Sequence, residues 1–174
     1  MTTESSTTIY QGAVVTLTID RVVLPNGNIS DLEIVRHPGG VAIVAIDEEE
    51  NVCLIRQYRH AVQEYIWEIP AGKREQHCSA QQCAMRELRE EAGREAQDWV
   101  ALSPILSSPG VFDEVIFLYL ARKLHAVPMA LERDECLVPH WLPLRQACMW
   151  ALSGEIQDSK TVIALLRAQA ILNA

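Results

Sequence analysis

Apolar and polar positions alternate in short bursts through the first part of the chain. Val14 to Ile19 and Val22 to Leu24 precede the turn-forming Pro25-Asn26-Gly27-Asn28, and Leu32, Ile34 and Val35 follow it. This hairpin-like pattern predicts a small antiparallel sheet within residues 1–38. His37-Pro38-Gly39-Gly40 then punctuates the chain, so the expected organisation is an N-terminal sheet over 1–38 and a main domain over 39–174. Val41 to Ile46 and Val52 to Tyr58 read as strands joined by the acidic turn Asp47-Glu48-Glu49-Glu50-Asn51, and Tyr65 to Ile69 as a further strand stopped by Pro70-Ala71-Gly72. A helix is predicted from Ser79 to Ala92: Ser79 and Gln82 have the capping-box spacing, and Gly93 stands where a left-handed cap belongs. Strand-like runs resume at Trp99 to Leu106, Glu114 to Leu124 and around His140 to Leu144. Two helices, Leu144 to Ser153 and Ser159 to Ile171, close the chain. Strands and helices are mixed rather than strictly alternating, which predicts an α/β or α+β class with a mixed sheet.

Composition adds limits. The 174 residues are 49% hydrophobic and 22% charged, in the ordinary range for one compact core, with a small appendage allowed. The formal net charge is −8 and the basic residues are scattered, which argues against high-affinity nucleic-acid binding. The first residues lack the basic segment and apolar core of a signal peptide, and no apolar run approaches the roughly 20 residues that span a bilayer. A soluble, cytoplasmic protein with no membrane partner is expected. The five cysteines, Cys53, Cys78, Cys83, Cys136 and Cys148, are odd in number and contain no C-x-x-C pair, so they read as reduced thiols.

The helix over 79–93 carries the chemistry. At about 100° per residue, Ala80, Cys83, Ala84 and Leu88 form an apolar arc; Glu87 and Glu91 fall inside it, one turn apart, with Glu90 at its edge. Carboxylates of like charge on one face repel, and burying either without a partner costs several kcal/mol. A hard divalent cation with oxygen ligands removes that conflict. The plain alternative is a solvated helix held by Arg86–Glu90 and Glu90–Arg94 pairs.

The flanking sequence favours the metal. Gly72-Lys73-Arg74-Glu75-Gln76-His77-Cys78, seven further residues, and Arg86-Glu87-Leu88-Arg89-Glu90-Glu91-Ala92-Gly93 together resemble the Nudix box. Leu54-Ile55-Arg56-Gln57-Tyr58-Arg59, Trp67-Glu68-Ile69-Pro70-Ala71-Gly72-Lys73 and Ser108-Pro109-Gly110-Val111-Phe112-Asp113-Glu114 are similar to segments of the ADP-ribose and ADP-sugar pyrophosphatase branch of that family. The resemblance spans roughly residues 35 to 170. It implies a Nudix fold, a mixed sheet between helices, with the N-terminal sheet exchanged across a homodimer. Two positions depart from the pattern: Cys78 replaces the first glutamate of the box, which in the family helps orient the box arginine, and Arg94 replaces a terminal aliphatic residue.

The resemblance also implies roles. Glu87 and Glu91 would ligate Mg²⁺, with Mn²⁺ as the alternative ion. Glu90 would be a ligand directly or through water, and the Ala71 carbonyl would complete the cluster. Arg86 would anchor the helix carboxylates by a bidentate pair. A further carboxylate is expected from Glu132-Arg133-Asp134-Glu135, where Glu135 is the choice for ligand or general base and Glu132 and Asp134 compete with it. Arg59 suits a substrate phosphate. Arg56 is the second candidate, although on an alternating strand it faces away from Arg59. Glu114 would contact the terminal sugar or place the water, or simply be a charge at a strand start. The tryptophans read as core or interface residues, and Tyr10 as an aromatic that the N-terminal sheet could lend to an adenine pocket. The implied activity is Mg²⁺-dependent hydrolysis of the pyrophosphate of ADP-ribose or a related nucleoside diphosphate sugar. The rival reading is a degenerate Nudix domain that binds a nucleotide without efficient hydrolysis, motivated by Cys78.

Overall fold

The structure is a computed structural model that describes residues 2–75, 77–131 and 136–174. Its contacts divide it into two compact units, Met1–Gly39 with Leu106–Val115, and Gly40–Ile105 with Ile116–Ala174.

The first unit is an antiparallel sheet of β1 (Thr2–Gln11), β2 (Thr16–Val23) and β3 (Ile29–Arg36), in the order β1-β2-β3. The β2–β3 turn falls at the Pro-Asn-Gly-Asn segment. Gly27 takes φ 84°, which favours glycine, and the Leu24 N–H donates to the Asn28 carbonyl at 2.8 Å. β1 has no counterpart in the apolar pattern, because all of its residues are exposed. Main-chain pairing with β2 holds it. The unit also takes in a second stretch of chain: the Val35 N–H donates to the Val111 carbonyl at 2.8 Å, and Arg36 lies 3.3 Å from Asp113 and pairs with the buried Asp20.

The second unit contains, in chain order, β4 (Gly40–Ala45), β5 (Asn51–Arg59), β6 (Glu64–Glu68), β7 (Ala71–Lys73), α1 (Ala80–Ala92), β8 (Arg94–Ala101), β9 (Ile105–Leu106), β10 (Val115–Ala126), β11 (Leu137–Pro143), α2 (Leu144–Ser153) and α3 (Ser159–Leu172). One sheet runs β7-β4-β10-β8, with β9 on β10; β4 and β10 are parallel while β7–β4 and β10–β8 are antiparallel, so the sheet is mixed as expected. A second sheet runs β11-β5-β6. β4 is buried along its whole length and feeds two cores. Val41, Ile43 and Ala45 pack with Cys83, Ala84, Leu88 and Ala92 of α1. Ala42 and Val44 pack with Ala147 and Cys148 of α2 and Ala164, Leu165 and Ala168 of α3. The period of two along a strand thus places α1 on one face and α2 with α3 on the other.

The structure shifts some boundaries. β8 begins at Arg94, directly after the left-handed Gly93 cap, whereas the apolar pattern started that strand at Trp99. Its first residues are polar and are held by main-chain pairing to β10, as on any edge strand. β7 follows Pro70, where the sequence predicts a stop, because Ala71 and Gly72 pair with Ala42 and Val41 of β4. Among the described residues no helix is long and apolar enough to cross a membrane.

Candidate functional site

The cap at the start of α1 forms as the spacing predicts. The Gln82 N–H donates to Ser79 Oγ at 3.2 Å, and the Ser79 N–H donates to Gln82 Oε1 at 2.9 Å. At the other end the Gly93 N–H donates to the Arg89 carbonyl. One expectation is corrected here. Cys78 and Cys83 are joined by a disulfide, with Cα atoms 6.2 Å apart, while Cys53, Cys136 and Cys148 are free thiols. The two sulfurs stand on the residue before the cap and on the fourth helical residue, the pair of positions that a hydrophobic staple brings together. A search for C-x-x-C spacing does not detect a contact made by a capped first turn. Burial of the Cys53 thiol, ahead of the nearby Glu91 charge, pushes its pKa up to about 12, so it is an inert core residue.

α1 turns its inner face toward β7. Glu87 is 6% exposed and Glu91 2% exposed. The Ala71 N–H donates to Glu91 Oε2 at 2.8 Å. The Glu87 carboxylate occupies the space beside Gly72 so closely that a Cβ there would lie 2.1 Å from Glu87 Cδ. The glycine that opens the box is therefore required by a close approach. Arg86 does not form the expected bidentate pair with one carboxylate. It fans across three: Nη2 to Glu87 Oε1 at 2.8 Å, Nη1 to Glu75 Oε1 at 2.7 Å, and Nε at 4.0 Å from Glu90 Oε2. The Glu75 carboxylate thus reaches the box arginine from three residues before Cys78, and His77 lies 2.9 Å from its other oxygen. Arg94, the second departure from the pattern, lays its guanidinium over Trp141 at 5.2 Å.

Arg59, at the end of β5, is brought to the same region. Its Nε donates to Glu68 Oε1 at 2.6 Å and its Nη2 to Glu68 Oε2 at 2.8 Å. These bonds, foremost, together with the charges of Glu68, Glu91 and Asp158, raise the guanidinium pKa despite burial. Arg59 therefore lies in the field of a helix carboxylate. Arg56 is not gathered with it and stacks over Trp67 at 5.0 Å, as strand alternation implies. Glu114 belongs to the first unit, where its carboxylate is 3.2 Å from His37 Nδ1. Glu135, with Glu132 and Asp134, lies outside the described residues. The chain on either side of that segment is tied down: the Ala130 N–H donates to the Glu90 carbonyl at 3.2 Å, and the Tyr58 N–H to the Cys136 carbonyl at 3.4 Å.

Two charged residues of this region escape sequence reading. Glu68 is 2% exposed, and Lys160 of α3 donates to its Oε2 at 2.6 Å. Burial alone would push the Glu68 carboxyl up. The Arg59 hydrogen bond, the Lys160 and Arg59 charges and the Lys160 hydrogen bond together hold it below its ordinary value. The available signals were faint. Glu68 is a charge within an apolar strand run, and Lys160 is a cation in a first helical turn, where the helix dipole disfavours it.

The donor set suits a hard divalent cation: buried carboxylate oxygens one turn apart against a main-chain segment. Among the described residues no group of three or more His, Cys, Asp and Glu side chains is gathered as a metal cage.

A model of the NUDIX domain matches residues 36–166. The chain is 43% identical over 159 residues to a methanol dehydrogenase activator of Bacillus methanolicus, covering 90% of this chain and 86% of that protein. It is 37% identical over 176 residues to an ADP-ribose pyrophosphatase of Mycobacterium tuberculosis, covering 97% of this chain and 83% of the other. A crystal structure of an ADP compounds hydrolase superposes with a TM-score of 0.85 at 22% identity, covering 99% of this chain and 94% of that one. With its box glycine set against a helix glutamate and its domain matched over most of its length, the chain belongs to the Nudix family.

Proposed function

We propose that this protein hydrolyses the pyrophosphate of ADP-ribose, giving AMP and ribose 5-phosphate, with related nucleoside diphosphate sugars as further substrates. The observation that carries the reading is the burial of Glu87 and Glu91, one turn apart, against Ala71 and Gly72, with Arg59 in the field of Glu91. Relatives named ADP-ribose pyrophosphatase at 36–37% identity support the choice of substrate.

Glu87 and Glu91 would hold Mg²⁺ or Mn²⁺, with Glu90 and the Ala71 carbonyl completing the donor set. A cation held there would neutralise charge on the phosphoryl oxygens and lower the pKa of a bound water. The chain's own residues do the rest. Arg86 keeps the helix carboxylates in place, itself steadied by Glu75. Arg59 would offer a phosphate the N–H groups that it does not give to Glu68. A proton leaves the attacking water for a carboxylate, and Glu135 is our choice of acceptor, with Glu90 second. Glu114 is assigned to the terminal sugar or to the water. Pairing of two copies through residues 1–38, and a cytoplasmic location, belong to the same reading. The rival, a nucleotide-binding domain without hydrolysis, rested on Cys78. The Glu75–Arg86 contact removes its motive, because the box arginine is still oriented by a carboxylate.

Chromatographic detection of AMP from ADP-ribose tests the reading. Turnover is expected with Mg²⁺ and none with excess EDTA. Glu91→Gln is expected to lower kcat at least ~100-fold, about 2.7 kcal/mol of transition-state stabilisation. Unchanged turnover in Glu91→Gln would sink the metal-site assignment.

A further inference from the structure

We propose that Lys160, acting through Glu68, is a positioning residue for Arg59, so that the first turn of α3 helps to hold the substrate's pyrophosphate without touching it. The inference rests on the reading above, in which Arg59 meets a phosphate.

A bidentate contact forces guanidinium and carboxylate into one plane, so the plane of the Glu68 carboxylate sets that of Arg59. The carboxylate would be free to turn about its last bond if Arg59 were its sole partner. Lys160 Nζ, 2.6 Å from Oε2, supplies the third point that fixes it. Lys160 is itself held, 3.0 Å from Asp158 Oδ1 and 14% exposed. Asp158 in turn caps α3, its Oδ2 accepting from the Thr161 N–H at 3.0 Å and from Thr161 Oγ1 at 2.6 Å. Thr161 is fully buried, and the Ile69 N–H donates to its Oγ1 at 3.0 Å, so the end of β6 and the start of α3 are locked together by main chain as well as by side chains. The path from Lys160 to Arg59 thus runs through groups with little freedom to move.

The chemistry at the far end is suited to an anion. Two of the five N–H donors of a guanidinium go to Glu68, Arg59 makes no other hydrogen bond among the described residues, and the side chain is 42% exposed. A lysine at the second position of α3 opposes the helix dipole, and its one local compensation is the pair with Asp158. Its partners are two carboxylates, one of them on a strand 92 residues away.

The test is a double-mutant cycle read as KM, kcat and metal-free affinity. ADP-ribose KM and kcat are measured with Mg²⁺, and Kd for ADP-ribose by calorimetry in EDTA, for wild type, Lys160→Met, Arg59→Ala and the double variant. Lys160→Met is expected to raise KM and Kd about tenfold or more, since small misplacements of binding groups have effects of this order. Its kcat should stay within about threefold. Lys160→Arg should recover most of the loss. In the Arg59→Ala background, Lys160→Met should add less than about twofold. Multiplying effects in the double variant, or an unchanged KM in a folded Lys160→Met, overturns the proposal. If Lys160→Met does not fold, Lys160→Gln takes its place in the cycle. Wild-type protein that neither binds nor cleaves ADP-ribose would bring down the functional reading itself. Turnover with an additive cycle would bring down the positioning role alone.

Discussion

Glu68 and the pair Glu87 and Glu91 are all buried carboxylates within one unit of the fold, and they are met in different ways. Glu68 faces the side-chain cations of Arg59 and Lys160, from β5 and α3. Glu91 accepts the Ala71 main-chain amide, and Glu87 is bonded by Arg86, which also reaches Glu75 and lies 4.0 Å from Glu90. The first arrangement neutralises a charge within the protein and fixes geometry. The second concentrates like charges on one helix face, where a hard cation is the natural complement. Burial of a carboxylate is therefore not in itself a sign of metal binding; the spacing of the carboxylates and the kind of element they face decide.

The sharpest way to break this comparison is to neutralise each side in turn and measure stability. Glu68→Gln leaves two cations beside a neutral amide and is expected to destabilise the fold by about 3–5 kcal/mol, as loss of one partner of a buried pair does. Metal-free Glu91→Gln keeps an oxygen that can accept the Ala71 N–H and is expected to lose less stability than Glu68→Gln. Equal losses in both would erase the distinction. The pH dependence has a definite sign. The folded pKa of Glu68 lies below its ordinary 4.5, so its contribution is fully present above pH 4.5 and is lost as pH falls through the lower folded value. Acid unfolding below pH 4.5 should accordingly be flatter in Glu68→Gln.

The next effect is steric. Gly72→Ala changes no ligand and no charge, yet its Cβ would sit within the Glu87 carboxylate. Turnover should drop ~100-fold, with weaker Mg²⁺ binding, because the carboxylate must move. Activity near wild type would show that this close approach is dispensable.

The smallest effect concerns the start of α1. Cys78→Ser, or reduction of the wild type, removes a short cross-link and is expected to cost about 2 kcal/mol, or about 4–8 °C in Tm for a chain of this size. Turnover should stay within about threefold, since Glu75 rather than residue 78 steadies Arg86. A collapse of kcat in Cys78→Ser would transfer the orienting role to the disulfide.

The contrast also shows what a sequence can disclose. The α1 cap, the arc that buries Glu87 and Glu91, and the β2–β3 turn are local, and local spacing declares them. β1 is illegible because all its residues are exposed and it is held by main-chain pairing and polar contacts such as Ser6 to Asp20, none of which leaves an apolar pattern. The Glu68–Lys160 contact was illegible because no periodicity links residues 92 apart. The Cys78–Cys83 bond fell between the two cases: its spacing was visible, but its meaning depended on the residue before a cap folding back onto the first turn. Alternation alone sets Arg56 and Arg59 on opposite faces of β5, where they meet Trp67 and Glu68 respectively.

The double burial of β4 has a consequence for how damage spreads. Its odd-numbered residues rest on the helix of the carboxylates, and its even-numbered ones on the helix that starts beside Lys160. Parity along these few residues works as an address. A lesion at Ile43 is delivered to the metal end of the site and one at Val44 to the phosphate end, so neighbouring substitutions in a single strand would differ in the step of the reaction they disturb.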